Sequence, residues 1–254
     1  MISDVFRFAF ITDPQIGMNS PSGLYGAGSD KERLDSAIAY INENAIDFVV
    51  FGGDQINDPD DENQNTDAQL DALEASLSAL AVPYYGVVGN HDQGDPDKDW
   101  KYIERGLPVR FSITHKSTFL VGINSSWLRG DFGDRYQREE WESLEAEFSR
   151  VSAACEHRFV VMHWPLFNCH PSEENTYGNM PNREKLIGLF RRHDVSCVFS
   201  GHRHQDIDTR WQGISLITSV GTSQPLQYGE ELSFKVVTVF ADGWSVRRVS
   251  VVNR

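Results

Sequence analysis

Cysteine, basic charge and long apolar runs are all scarce in this chain. Its three cysteines, Cys155, Cys169 and Cys197, form neither a C-x-x-C spacing nor a disulfide ladder, so a reducing, cytoplasmic setting is expected. Lysine and arginine total 23 against 37 aspartates and glutamates, a formal net charge of −14. A surface of that sign repels phosphate backbones and anionic lipids, so neither nucleic acid nor membrane is an expected partner. No apolar run reaches the roughly 18 residues that a spanning helix needs. The opening MISDVFRFAFITD has no basic stretch ahead of an apolar one and runs straight into a strand pattern, so no signal peptide is expected. Internal repeats, low-complexity tracts and an evident inter-domain linker are missing as well.

What remains is 254 residues, 40% hydrophobic and 24% charged, enough for one large α/β domain over 1–254, expected as a monomer or small homo-oligomer. Strand and helix patterns alternate along it. FRFAFIT (6–12) reads as a strand, followed by a Gly/Ser/Pro/Asn-rich loop over 16–30. Ser29 or Asp30 can cap a helix carrying Leu34, Ile38 and Ile41 at helical spacing. DFVVFGGD is apolar without alternation, the mark of a strand buried on both faces. An acidic loop (57–66), a helix over 67–80 and the strand VPYYGVVGNHD follow. The pattern then predicts a short helix over 97–105, a hairpin from RFSITH and STFLVGINS, a helix over 137–155, and the strand HRFVVMHWP. A polar loop over 168–182, a helix over 183–193 and the strand VSCVFSGHRH come next. Three late strands, ISLITSVG, SFKVVTVF and WSVRRVSVV, suggest an antiparallel edge or a second sheet.

Each of the buried strands ends in polar groups. The first stops at Asp13-Pro14-Gln15, the second at Gly53-Asp54 with Asn57 beyond, and the third at Asn90-His91-Asp92. The remaining two stop at His163 and at His202-Arg203-His204. Singly, each suits a turn, a cap or a core histidine. Five strands ending alike point to a shared site, because ligands of open α/β sheets bind beyond the carboxyl ends of the strands. Asp, Asn, Gln and His are borderline-to-hard donors, suited to Mn, Fe, Zn or Mg. Seven such groups exceed the needs of one tetrahedral ion and suit two ions bridged by a carboxylate. Two ions roughly 3.5–4 Å apart can clamp both oxygens of an in-line phosphoryl displacement. Asp54 is the expected bridge, being central in order, with Asp13 the only other acid at a strand tip. Pro14 stiffens the first tip, and Gly53 and Gly89 are expected to allow the turns that aim Asp54 and Asn90. Asn57 is expected to orient His91 through its side chain, or to contact substrate.

GGDQIN, GNHD, the lone histidine of MHWP, and GHRH, in that order, resemble the calcineurin-like metallophosphoesterases. The resemblance runs from Phe6 to about His204. It implies a four-layer α/β/β/α sandwich with two mixed sheets and a dinuclear centre of divalent or trivalent ions at the strand tips. It implies one metal held by Asp13, the Gln15 position, Asp54 and His204, and a second held by Asp54, Asn90, His163 and His202. His91 would stand near the leaving group, Asn90 would help stabilise the developing charge, and Asp92 would support them from behind. The first motif departs from the family's Asp-x-His, since Gln15 replaces the histidine with a weaker neutral donor. DPQ combined with GNHD, H-x-P-L-F and SGH-x-H resembles the subgroup of calcineurin-like phosphoesterase domain-containing proteins, some of which act on phosphoserine and phosphothreonine.

The expected reaction is hydrolysis of a phosphomonoester, on a small molecule or a phosphoprotein, by in-line attack of a metal-bridging hydroxide. A phosphodiesterase or nucleotide pyrophosphatase on the same site is the alternative, and an interaction module with weak catalysis is a third, resting on Gln15. Arg203 and His170 are candidate substrate contacts, the latter with Glu173, Glu174 and Tyr177 on the long loop and Tyr25 in a similar position on the first.

Overall fold

The computed structural model describes residues 5–18, 28–57, 66–98, 100–168, 179–226 and 229–251. Among these residues, eleven strands fall into two mixed sheets. The first holds β1 (Phe6–Ile11), β2 (Phe48–Phe51), β3 (Tyr84–Gly86), β10 (Ser233–Phe240) and β11 (Gly243–Ser250), in the order β11-β10-β1-β2-β3. The second holds β4 (Phe111–His115), β5 (Thr118–Ile123), β6 (His157–Met162), β7 (Cys197–Ser200), β8 (Ile207–Trp211) and β9 (Ile214–Thr218). Its order is β4-β5-β6-β7-β9-β8. The helices are α1 (Asp30–Glu43), α2 (Thr66–Leu77), α3 (Lys101–Glu104), α4 (Ser125–Arg129), α5 (Asp134–Ser149) and α6 (Arg183–Arg192).

The apolar strands explain the layering. Side chains alternate between the two faces of a strand, so an unbroken apolar run must bury both. In β1, Phe6, Phe8 and Phe10 enter a core shared with Phe159, Val161 and Phe199 of the other sheet, while Ala9 and Ile11 turn to the side of α1 and α2. In β6, Val160 and Met162 instead meet Trp141, Leu144 and Phe148 of α5 and Leu186 and Phe190 of α6. Phe8 crosses the sheet–sheet seam, its ring centroid 5.7 Å from that of Phe199. Three seams between helices, sheet, sheet and helices make the expected four-layer α/β sandwich.

Several expectations shift. Ser29 is the cap of α1: its hydroxyl accepts from the Glu32 amide, and Glu32 reaches back to the Ser29 amide. The third strand pairs only over Tyr84–Gly86, because it lies at a sheet edge and has one neighbour. The helix expected over 137–155 runs from Asp134 to Ser149, and the short helix expected over 97–105 shrinks to Lys101–Glu104. Two elements come unannounced, the five-residue α4 and the strand β8. Of the late strands only β11 forms an antiparallel edge, beside β10 in the first sheet. β9 runs parallel beside β7, and β10 sits inside the first sheet, antiparallel to β1.

Parallel strands β1, β2, β3, β6 and β7 therefore release their carboxyl ends at the same rim of the sandwich. There the first two ladders run on past the strands. The Asp13 amide donates to Gly53 O at 3.0 Å, Gln15 to Asp54 O at 2.9 Å and Ile16 to Gln55 O at 3.0 Å.

Candidate metal centre

Among the described residues, eight non-glycine residues have positive φ, and five of them are Asp13, Gln15, Asp54, His202 and His204. The left-handed region costs a residue with a Cβ about 1 kcal/mol or more. The other three, Lys116, Asp194 and Gln212, occupy ordinary turns. The concentration at the rim means that strand pairing and tertiary packing hold these tips in a conformation they would not choose.

Gly53 and Gly89 serve this geometry for different reasons. Gly53 has φ 96°, as expected of a turn glycine. Gly89 is needed for room rather than for dihedral freedom: a Cβ there would stand 2.0 Å from Asp54 Oδ1 and 2.5 Å from the Asp54 amide nitrogen.

Four groups from both sheets converge. The donor atoms of Asp54, His163 and His202 lie within 4.8 Å of one another. His163 Nε2 is 3.1 Å from Asp54 Oδ2 and 3.2 Å from Asn90 Oδ1. His202 Nδ1 is 2.9 Å from the same Asn90 oxygen. Asp54 and His163 are essentially inaccessible, while Asn90 and His202 face partly outward. Main-chain contacts fix which ring nitrogen faces in. His163 Nδ1 donates to Gly52 O at 2.9 Å, leaving Nε2 for the centre. Such a bond on the far side of the ring is how proteins orient a histidine that binds metal.

Asp13 and His204 form a second pair beside this group, with His204 Nε2 3.3 Å from Asp13 Oδ1. His204 Nδ1 donates to Gln224 O at 2.6 Å, again turning Nε2 toward the acid. Asp13 also accepts from the Thr12 hydroxyl at 2.6 Å and from the His202 amide at 3.2 Å. Gln15 is buried, and its Oε1 accepts from the Ser223 hydroxyl at 2.9 Å. One lone pair of that carbonyl is thus already used by the connection after β9.

The electrostatics have the pattern of a cation site. Burial opposes ionisation of Asp54, but the neighbouring His163 charge outweighs it and holds the carboxyl below its usual range. Burial likewise opposes charge on His163, yet Asp54 and Asp13 raise its pKa to about 9. Burial, and then the His163 charge, push His202 down to about 3. Burial raises Asp13. A proton on His163 does for these carboxylates what a metal would do. Two carboxylates, an amide oxygen and three imidazole nitrogens turned to one rim fit hard or borderline cations.

His91 lies directly above. Its amide donates to Asp54 Oδ1 at 2.8 Å, and its Nδ1 contacts the main-chain carbonyl of Asn57. This differs from the side-chain contact expected of Asn57 and makes the link indifferent to the residue type at that position. Asp92 is fully buried and accepts from the amides of Gly89 and Ile56, both at 2.9 Å, so it ties the GNHD turn to the segment after Asp54. Burial, joined by the Asp54 charge, pushes its pKa up to about 7. Arg203 turns its guanidinium to Gln205, 3.0 Å away. His170, Glu173, Glu174, Tyr177, Tyr25 and Cys169 lie outside the described residues.

Several neighbours carry no warning in the sequence. Ser223 and Gln224 come from the connection after β9. The Trp164 ring lies against that of His202 at a 40° tilt, centroids 3.6 Å apart, although its place after His163 in MHWP is a signal in the sequence. Ser125 and Ser126 of α4 receive the amide and the indole N–H of Trp164 at 3.0 and 3.3 Å.

Comparison with known proteins gives the family and the fold. The model of the calcineurin-like phosphoesterase family matches residues 6–206. The chain belongs to that family. It is accordingly a phosphoric ester hydrolase, of a family that uses a dinuclear metal centre. A zebrafish (Danio rerio) protein named serine/threonine-protein phosphatase CPPED1 is 27% identical over 238 residues, covering 85% of this chain and 76% of the relative. A probable glycerophosphodiester phosphodiesterase GpdQ from Arcobacter nitrofigilis is 23% identical over 197 residues, covering 75% and 69%. Among solved structures, a dimetal phosphatase from Danio rerio superposes with a TM-score of 0.72 at 18% identity, over 97% of this chain and 96% of that one. Among the described residues, no helix is long and apolar enough to cross a membrane.

Proposed function

We propose that the chain is a phosphomonoesterase acting on phosphoserine or phosphothreonine, working as one domain over 1–254 with two metal ions at the strand-tip rim. The observation that carries the reading is the convergence of Asp54, Asn90, His163 and His202, drawn from both sheets, on one point. In this reading those four hold one ion, and Asp13, Asp54 and His204 hold the other with Gln15 beside them. The ions, when bound, supply positive charge to the phosphoryl oxygens and lower the pKa of the attacking water.

The chain's own groups do the rest. Asp54 is shared by both positions, and its Oδ1 takes the His91 amide, which fixes the GNHD turn relative to the reacting phosphorus. The Asn57 carbonyl occupies His91 Nδ1–H, so Nε2 is the end free to deliver a proton to the leaving oxygen as the P–O bond breaks and the bond to the water oxygen forms. Asn90 lends an amide dipole to the charge that develops, and Arg203, whose guanidinium rests on Gln205, is assigned to a phosphoryl oxygen of the bound substrate. Asp92 holds the turn that carries Asn90 and His91. The name of the zebrafish relative supports a protein substrate.

The second reading, a phosphodiesterase, has its support in the named phosphodiesterase among the relatives. A phosphoserine peptide, a chromogenic monoester and a chromogenic diester, each assayed with Mn, Fe, Zn and Mg in turn, separate the two. The monoesters should be faster by at least about tenfold in kcat/KM, roughly the 1.4 kcal/mol of a clear preference. Absence of hydrolysis with every metal would refute both.

A further inference from the structure

Arg129 closes α4 at the border of the centre. Its guanidinium carbon sits 4.0 Å from the centroid of the Trp164 ring, and that ring in turn lies on His202. Trp164 is pinned to Ser125 and Ser126 of the same short helix. The helix is anchored in its turn. Asn124 caps it through the Trp127 amide at 3.2 Å and donates to Gln93, next in line after GNHD, at 2.9 Å. The buried Glu140 receives the Asn124 amide at 2.9 Å.

A cation is therefore held on an aromatic face one residue away from a group of the centre. Its Nε pairs with Asp131 at 3.1 Å, leaving the rest of the fork unneutralised by that contact. Nη1 is buried and has no hydrogen-bond partner among the described residues. A guanidinium stacked on indole keeps its edge donors free for a carboxylate or phosphate, which it can hold in bidentate fashion.

We propose that Arg129 is a specificity residue that binds a second anionic group of the substrate, separate from the phosphoryl group being transferred. The preferred substrates then carry a carboxylate or another phosphate close to the scissile ester. This inference rests on the phosphatase reading of the rim.

The test uses two matched pairs on the metal-loaded full chain. One is a phosphoserine peptide with an adjacent Glu against the same peptide with Gln. The other is a phosphorylated hydroxy acid against its neutral amide. The quantity read is the kcat/KM ratio of acidic to neutral partner, for wild type, Arg129→Gln and Arg129→Lys. Wild type should prefer the acidic partner, Arg129→Gln should lower the ratio about tenfold, and Arg129→Lys should restore part of it. The pair that responds tells a peptide carboxylate from a small-molecule one. Equal loss on both partners would assign Arg129 a merely structural hold on Trp164 and overturn the inference, as would an unchanged ratio. If wild type hydrolyses nothing, the phosphatase reading fails by itself. Fluorescence anisotropy with the same labelled peptides then decides the inference: a preference for the acidic one that Arg129→Gln abolishes sustains it, and equal binding overturns it.

Discussion

Replacing Gly89 with alanine should disable the centre while leaving every residue assigned to metal in place. The added methyl would lie 2.0 Å from Asp54 Oδ1, 2.5 Å from the Asp54 amide and 2.7 Å from its Cγ. Ordinary carbon–oxygen contact needs more than 3 Å, so the segment around Asp54 must retreat by roughly 1 Å. Two of the atoms in the way belong to a buried carboxylate and one to the backbone, so no flexible tip can swing aside. Overpacking of this kind costs about 1–3 kcal/mol of stability. The larger effect falls on function, since a 1 Å displacement of a positioning group costs about a hundredfold. Both positions assigned to metal share Asp54, so both should weaken together. Gly188→Ala is the matched control. Its new methyl would find only the end of Arg192, 3.8 Å away, in α6. That change should stabilise by about 0.5–1 kcal/mol through helix propensity. Chemical denaturation gives the stabilities, and calorimetric titration with Mn gives the affinities. Wild-type metal affinity in Gly89→Ala would refute the reasoning, whatever the stability showed.

Asp92→Ala should cost about 2–4 kcal/mol, because it strands the buried amides of Gly89 and Ile56 together; an unfolding midpoint close to wild type would count against it. Metal binding should release a proton from His163 at any pH below about 9, so affinity rises with pH up to that point. Calorimetry in buffers of different ionisation enthalpy reads that release directly. The same shift has a stability signature in the metal-free protein. Its folded value of about 9 stands above the ordinary 6.5, so the contribution is complete below 6.5 and is lost as pH climbs through 9. Arg33→Met should cost about 3–5 kcal/mol, since it leaves Asp30 charged and buried without its 2.5 Å partner, and Arg33→Met combined with Asp30→Leu should recover much of that loss.

The strand tips were legible because apolar runs and polar ends sit side by side in the sequence. A run buried on both faces has to stop where backbone meets solvent, and Asp13, Asp54, Asn90, His163 and His202 stand at those stops. The position of β10 was not legible. Its pairing with β1 joins residues over two hundred positions apart, such as Phe8 and Val237, and nothing local encodes such a partner. The helix α4 escaped notice because five residues give no helical period. The tie from its cap, Asn124, to Gln93 exists only once the two sheets have been brought together, since Gln93 follows β3 and Asn124 follows β5. The tight fit at Gly89 is of the same kind. The glycine could be seen, but the carboxylate pressed against it comes from another strand.

The ligand set has a mechanical side. Asp13, Asp54 and Asn90 belong to the first sheet, and His163, His202 and His204 to the second, while the seam between the sheets is otherwise mainly apolar, with directional ties such as His157 Nε2 to Phe240 O at 3.1 Å. Aromatic surfaces can slide over one another at little cost, whereas coordination bonds cannot. A cation at the rim would act as a rivet through one end of the sandwich, fixing the register of two sheets that elsewhere are held mainly by apolar contact. The chain would then open from the far end when loaded and from either end when stripped, so that chelation alters the route of unfolding as well as its midpoint.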